Sequence, residues 1–211
     1  MHYHLFVAIL IFSCCSCATN SKSARYQIGG TNWPNAEFYV LDARGDTIKK
    51  LEKHEYTIGF TGEFDKFAVF GIKGEKDWCA VDIHENILFK IGNFPLEELW
   101  SPDYFVEDRI RIIDESGKYG FANEKGKIVV KPKYELVTQF NNGYAIILQD
   151  CHKEYWKNDE EGEEEEHGDC NHYSIECNQH GYINKKGKVI KLGYYTFEDI
   201  QREIGWNWPN E

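Results

Sequence analysis

Apolar and polar positions alternate along most of this chain, and the same polar turn interrupts the alternation again and again. The stretch "KYGFANEKGKIVV" returns sixty-one residues later as "QHGYINKKGKVIK". In register on the first polar turn residue, these are Asn123-Glu124-Lys125-Gly126 and Asn184-Lys185-Lys186-Gly187. A third copy, Asp42-Ala43-Arg44-Gly45, lies in "EFYVLDARGDTIKK", and a fourth, Asp82-Ile83-His84-Glu85, in "DWCAVDIHENILFK". The steps between turn residues 42, 82, 123 and 184 are 40, 41 and 61. Each copy opens on an aromatic or His (Phe38, Trp78, Tyr119, His180), alternates up to the Asx, and resumes on an apolar or β-branched pair.

This pattern predicts a β-hairpin. An Asx side chain accepts a hydrogen bond from the backbone two residues on, and the Gly then takes positive φ to close a G1-type bulge. Glu85 stands where Gly is expected, which predicts that Asn86 takes the left-handed conformation or that the loop is wider. That hairpin should be the least regular. A third strand follows each hairpin in "FDKFAVF" (64–70), "FVEDRIRII" (105–113) and "FNNGYAIIL" (140–148), and "PLEELW" (95–100) echoes "PKYELV" (132–137). "TFEDIQREI" (196–204) reads as a short helix capped by Thr196, with Phe197, Ile200 and Ile204 on one face.

One such unit cannot bury its apolar face alone, so neighbours must stack to make a core. The expected fold is all-β: tandem hairpin or three-stranded units stacked into one curved solenoid- or propeller-like domain, with a short C-terminal helix. The units fall at about 36–75, 76–115, 117–149 and 180–205, within a domain spanning 31–211. Aromatic-Gly, Asx-x-x-Gly, Pro-x-Tyr-Glu and Phe-x-x-Gly-x-Ala motifs resemble those of the WG (KWG) repeat proteins. The likeness runs throughout 119–147 and over the hairpin of 180–200, and is worn in the first two copies, where Phe38-Tyr39 and Trp78-Cys79 replace aromatic-Gly. The resemblance implies a β-repeat fold and an extracytoplasmic interaction module. It implies no catalytic residue.

The N-terminus departs from this pattern. Leu5–Phe12 is an unbroken apolar run, too short for a bilayer span and suited to a signal-peptide core, and Ser13 and Cys14 follow directly. It resembles a bacterial lipoprotein signal of Bacteroidetes type: residues 1–13 are the signal, Cys14 the lipidation site and 14–30 a flexible tether. Cys15 and Cys17 are alternative acceptors, and an ordinary secretory signal or a buried strand are the other readings. The expected location is the bacterial cell envelope, with the protein held to the membrane by its lipid.

The long step comes from an insertion at 150–179, best seen in "DCHKEYWKNDEEGEEEEHGDCNHYSIECNQH" (150–180). That stretch carries eleven acidic residues against two lysines, a net −9 in a chain whose total is −11. The acidity therefore belongs to one loop, and no general basic field supports nucleic-acid binding. Cys151 and Cys177 would face each other at its base, placed for a disulfide, which an oxidising compartment favours. Cys79 and Cys170 are the remaining cysteines beyond the signal, and four cysteines allow three pairings. An alternative is a zinc or copper site drawn from His167, Cys170, His172, Cys177 and His180, whose occupancy the sequence leaves unknown.

Catalytic motifs are missing from the sequence. There is no Gly-x-Ser-x-Gly elbow, the Gly-Lys pairs lack a P-loop frame, and the His-Glu pairs at 54–55 and 84–85 lack a second His. Trp78, Trp100 and Trp156 read as packing residues rather than a sugar platform. The expected function is a non-catalytic envelope lipoprotein that binds an envelope protein or surface glycan and needs no cofactor. The alternative is a cation-responsive protein acting through 150–180.

Overall fold

The computed structural model describes residues 25–30, 36–92, 101–155 and 173–208. The signal segment with Cys14, Cys15 and Cys17, the stretch 95–100 with Trp100, and Trp156, His167, Cys170, His172 and the acidic run 159–166 lie outside them.

The chain is mostly strand, in antiparallel sheets, with one short C-terminal helix. The first sheet holds β1 (Tyr26–Gly30), β2 (Phe38–Leu41), β3 (Thr47–Lys50) and β5 (Glu63–Phe64), in the order β3-β2-β1-β5. The second adds β4 (Tyr56–Gly59), β6 (Ala68–Ile72), β7 (Trp78–Val81), β8 (Ile87–Ile91), β9 (Ile110–Ile113), β10 (Tyr119–Ala122) and β11 (Ile128–Tyr134), in the order β11-β10-β9-β8-β7-β6-β4. The third, β12-β13-β14-β15, comprises β12 (Leu136–Val137), β13 (Tyr144–Tyr155), β14 (Tyr173–Asn184) and β15 (Val189–Gly193). Helix α1 (Phe197–Ile204) closes the described chain.

All four hairpins form, and each slips register by one residue at the same place: Val40/Leu41, Ala80/Val81, Phe121/Ala122 and Tyr182/Ile183. The Asx oxygen Oδ1 accepts two amides, from the residues two and four places on. Asp42 takes Arg44 (2.8 Å) and Asp46 (3.0 Å), and Asn123 takes Lys125 (3.1 Å) and Lys127 (3.0 Å). A fifth copy of this loop, Asp114-Glu115-Ser116-Gly117, joins β9 to β10, with Asp114 bound by the amides of Ser116 and Lys118.

The expectation for Glu85 is corrected. Glu85 itself takes the left-handed conformation (φ 62°), and its loop keeps every bond of the others, so this hairpin is as regular as its neighbours. Residues 26–30, expected in a flexible tether, form a strand instead: Tyr26–Gly30 is β1 and pairs with β2 and β5. The insertion, in turn, is not loop from 150 onward. β13 and β14 run on for twelve residues each, as arms paired out to Tyr155 and Tyr173. It stands where Asp114–Gly117 stands in the preceding unit.

Strand alternation sends successive residues to opposite faces. Ala68, Phe70, Cys79 and Val81 thus pack into one core with Val40, Leu51 and Tyr56, while Val69 and Ala80 pack into a second with Phe89, Ile110 and Ile112. A third core joins Phe121, Val130 and Tyr134 to Ile146, Ile183, Ile200 and Trp206. Thr196 Oγ1 caps α1 by accepting the Asp199 amide (3.1 Å), Gly205 ends the helix with φ 61°, and the Trp206 indole donates to the Gln139 carbonyl (2.9 Å).

The turns also lock unit to unit. The 82–86 turn grips the segment after β3 through Glu85. A Cβ on Gly126 would sit 3.2 Å from Leu88 Cδ1, and one on Gly187 would sit 2.7 Å from Val130 Cγ2. Arg109 donates to the Lys185 carbonyl (3.1 Å), and Glu107, on a turn with φ 50° and 60°, accepts the Gly143 amide (2.9 Å). The turns at 82–86, 123–126 and 184–187 therefore each rest on the unit before.

Candidate binding surface

An apolar cleft of about 360 Å³ lies between the first sheet and the segment leading into β9. Its walls come from Phe60, which follows β4, from Phe64 and Phe67 around β5, and from Tyr104 and Phe105 before β9. The β4-to-β6 connection is fixed at both ends of a short loop. Phe60 N donates to Val69 O (2.9 Å), and Thr61 Oγ1 accepts the Val69 amide (3.0 Å). Phe67 is wedged edge-on against Phe89 (5.2 Å) and tilted against Phe105 (5.9 Å), which packs the floor of the cleft.

The mouth is open. Phe60 is 51% and Tyr104 46% exposed, although Phe60 leans edge-on against Trp78 at 5.7 Å. Arg25, Glu63, Asp65, Lys66 and Glu124 supply charge of both signs around it. Arg25 and Glu63 form an exposed pair at 3.6 Å, which solvent screens. Asp103 also borders the cleft, but its carboxylate is committed inward. It accepts from the Arg111 amide (2.8 Å), Nε (3.1 Å) and Nη2 (2.9 Å), and from Gln139 Nε2 (2.6 Å). With both side chains buried, the pair is an internal brace that links the floor to Trp206 through Gln139. Aromatic walls and a mixed-charge rim suit an amphipathic group, and the volume lies at the small end of ligand sites.

A second brace lies at Glu85, which is 3% exposed. Its Oε2 accepts the amides of Glu52 (2.8 Å) and Lys53 (2.6 Å) and the Tyr56 hydroxyl (3.1 Å), while Oε1 meets Lys49 Nζ (2.6 Å). Burial alone pushes its pKa up, but the Lys49 ammonium, the two amides and the phenol outweigh it and hold the carboxyl below its usual range. Burial first, then the Glu85 charge, push the Tyr56 phenol far up, so it stays a donor.

Cys151 and Cys177 are joined in a disulfide, at facing positions of β13 and β14. The Cys151 amide donates to Glu135 Oε2 (2.7 Å), and Lys118 Nζ reaches Oε1 (3.1 Å). Accepting the Cys151 amide is the largest influence holding Glu135 below the usual carboxylate range. Oxidation takes Cys177 out of any ligand set, and His180 Nδ1 lies 2.8 Å from the Tyr195 carbonyl. No cluster of three metal-ligating residues occurs among the described residues. Cys79 is a free, buried thiol rather than a partner of Cys170, and burial pushes its pKa up to about 11. No described helix is long and apolar enough to cross a membrane.

The cleft's aromatics were not singled out by the sequence pattern, because Phe60, Tyr104 and Phe105 lie outside the repeated hairpin phrase. The hairpin's own marker is explained by contact. A Cβ on Gly120 would strike the Val130 carbonyl and Pro132 N, and one on Gly181 the Lys191 carbonyl. The aromatic-Gly pair is thus required where the partner strand crowds in. No curated protein matches this chain. Residues 119–150 match the family model described as WG containing repeat, so the chain contains a WG repeat there.

Proposed function

We propose that this protein is a non-catalytic, lipid-anchored binding module of the bacterial cell envelope that captures an envelope protein through the aromatic cleft. The carrying observation is the cleft itself: Phe60 and Tyr104 stand half-exposed over a floor of Phe64, Phe67 and Phe105. Exposed aromatics over a packed apolar floor, ringed by charge, are the composition of interface hot spots. A repeat module suits this role, since its units hold a surface without needing a reactive centre. The Leu5–Phe12 run followed by Cys14 supports the anchor, and the Cys151–Cys177 disulfide supports an oxidising compartment.

The test is chemical cross-linking in intact cells, comparing the full chain with a Phe60→Ser/Tyr104→Ser variant. One protein adduct should appear and be lost in the variant. An adduct that persists in the variant moves the function off the cleft, and retention of the chain on purified surface polysaccharide instead makes the partner a glycan. Lipidation is tested separately by mass spectrometry of the mature N-terminus, which should carry diacylglycerol on Cys14.

A further inference from the structure

Every open sheet ends in two edge strands, and an exposed apolar edge invites another strand. Three of the six edges among the described residues are blunted. β5 and β12 are two residues long. β11 contains Pro132, which has no amide to offer. Of the other three, β3 and β4 are four residues long, and β3 has both its lysines tied, Lys49 to Glu85 and Lys50 to Glu37.

β15 is not blunted. Among the described residues it pairs with β14 on one side only, and α1 makes its main contacts with β13 and β14. Val189, Ile190 and Leu192 are 39%, 46% and 41% exposed, and Tyr194 beside them is 82% exposed. Lys186 and Lys188, at the entrance to the strand, have exposed side chains with no ion-pair partner among the described residues. Lys191 sits within β15, held by Glu203 at 2.6 Å.

This charge selects the occupant. A second β15 strand brings Lys186, Lys188 and Lys191 and no acidic residue in 185–195, so in any register it adds like charge to this edge. An acidic strand gains where a second copy loses. We infer that the β15 edge receives an extended segment of a partner protein, with apolar residues alternating with Asp or Glu, as a fifth strand of the third sheet. Backbone bonding to the open edge supplies the affinity. Contacts with Ile190, Leu192 and Tyr194 on one side, and with Lys186 and Lys188 at the end, supply the selection. This surface is separate from the aromatic cleft, so either can fail without the other.

The probe is a fluorescein-labelled nonapeptide of alternating Glu and Val, titrated into the full chain and read by anisotropy. A Lys/Val counterpart controls for charge, and a Glu/Val peptide N-methylated at alternate amides controls for strand addition. The Glu/Val peptide should bind, weaken as salt rises, and slow hydrogen exchange across β15. The Lys/Val peptide, the N-methylated peptide and a Lys186→Glu/Lys188→Glu variant should each lower affinity at least tenfold. That variant keeps the turn, because Asn184 is bound by the backbone amides of residues 186 and 188. Equal binding of the N-methylated peptide, or no binding by the Glu/Val peptide, overturns the inference. So does a dimer in which β15 cross-links to its own copy.

Discussion

Glu85 exchanges the conformational ease of glycine for a lock between units, and replacing it measures the exchange. Restoring the expected glycine, Glu85→Gly, relieves a left-handed non-glycine residue, worth about 1–2 kcal/mol. The same change strands the buried Tyr56 hydroxyl, at about 1–3 kcal/mol, and removes a charged acceptor from two amides, at about 1 kcal/mol each once water rehydrates them. Lys49 is 41% exposed, so its ion pair adds little. The balance is a loss of about 2 kcal/mol, or roughly 4–8 °C in Tm for a chain of this size.

Thermal melts give the global value, and hydrogen exchange at the Glu52 and Lys53 amides gives the local one. Glu85→Gln adds a pH signature. The native carboxyl is held below its ordinary value, so its contribution is complete above the unfolded pKa of about 4.3 and fades as pH falls through the lower native pKa. The gap between the native chain and the Gln variant should be full at neutral pH and close in acid. A Glu85→Gly chain at least as stable as the native one at pH 7, with Lys53 exchange unchanged, refutes the lock.

Gly120→Ala forces a Cβ into the Val130 carbonyl and should cost about 3 kcal/mol in a melt, whereas Gly45→Ala meets nothing within 4 Å and should cost about 1 kcal/mol for its positive φ. Breaking the Cys151–Cys177 bridge, with a separation of 26 residues, removes at most about 3.5 kcal/mol of loop-closure constraint. Most of that should appear as faster exchange in 152–155 and 173–176 while Ala145–Ile147 stay protected. Asp103→Asn leaves the Arg111 guanidinium buried against a neutral partner and should destabilise by about 3–5 kcal/mol in denaturant titrations.

The hairpins were legible because their information is local: Asx-x-x-Gly, a flanking aromatic and alternation specify a loop whose bonds all lie within five residues. The same locality misled at Glu85. Its left-handed conformation is held by contacts more than thirty residues away in sequence, at Glu52 and Lys53, which no turn rule contains. Asp114–Gly117 carried the same signal as the other turns but fell off the forty-residue step, since it links a third strand to the next hairpin. The helix at 197–204 was readable from its cap, yet the fully buried Trp206 just beyond it was not, because its partner Gln139 lies far upstream. Likewise the cleft draws on residues from 25 to 124, so it exists only after the units have stacked. The disulfide sits between these cases, since the two arms had to pair before Cys151 could meet Cys177.

Direct contact mapping puts the central claim at most risk. A photoreactive amino acid placed in turn at Phe60, at Tyr104 and, as a control, at Ile48 of the full chain, irradiated in intact cells, reports what touches each position. Binding through the cleft predicts one shared protein adduct from positions 60 and 104 and none from 48. Adducts missing from both cleft positions, or identical at all three, contradict it.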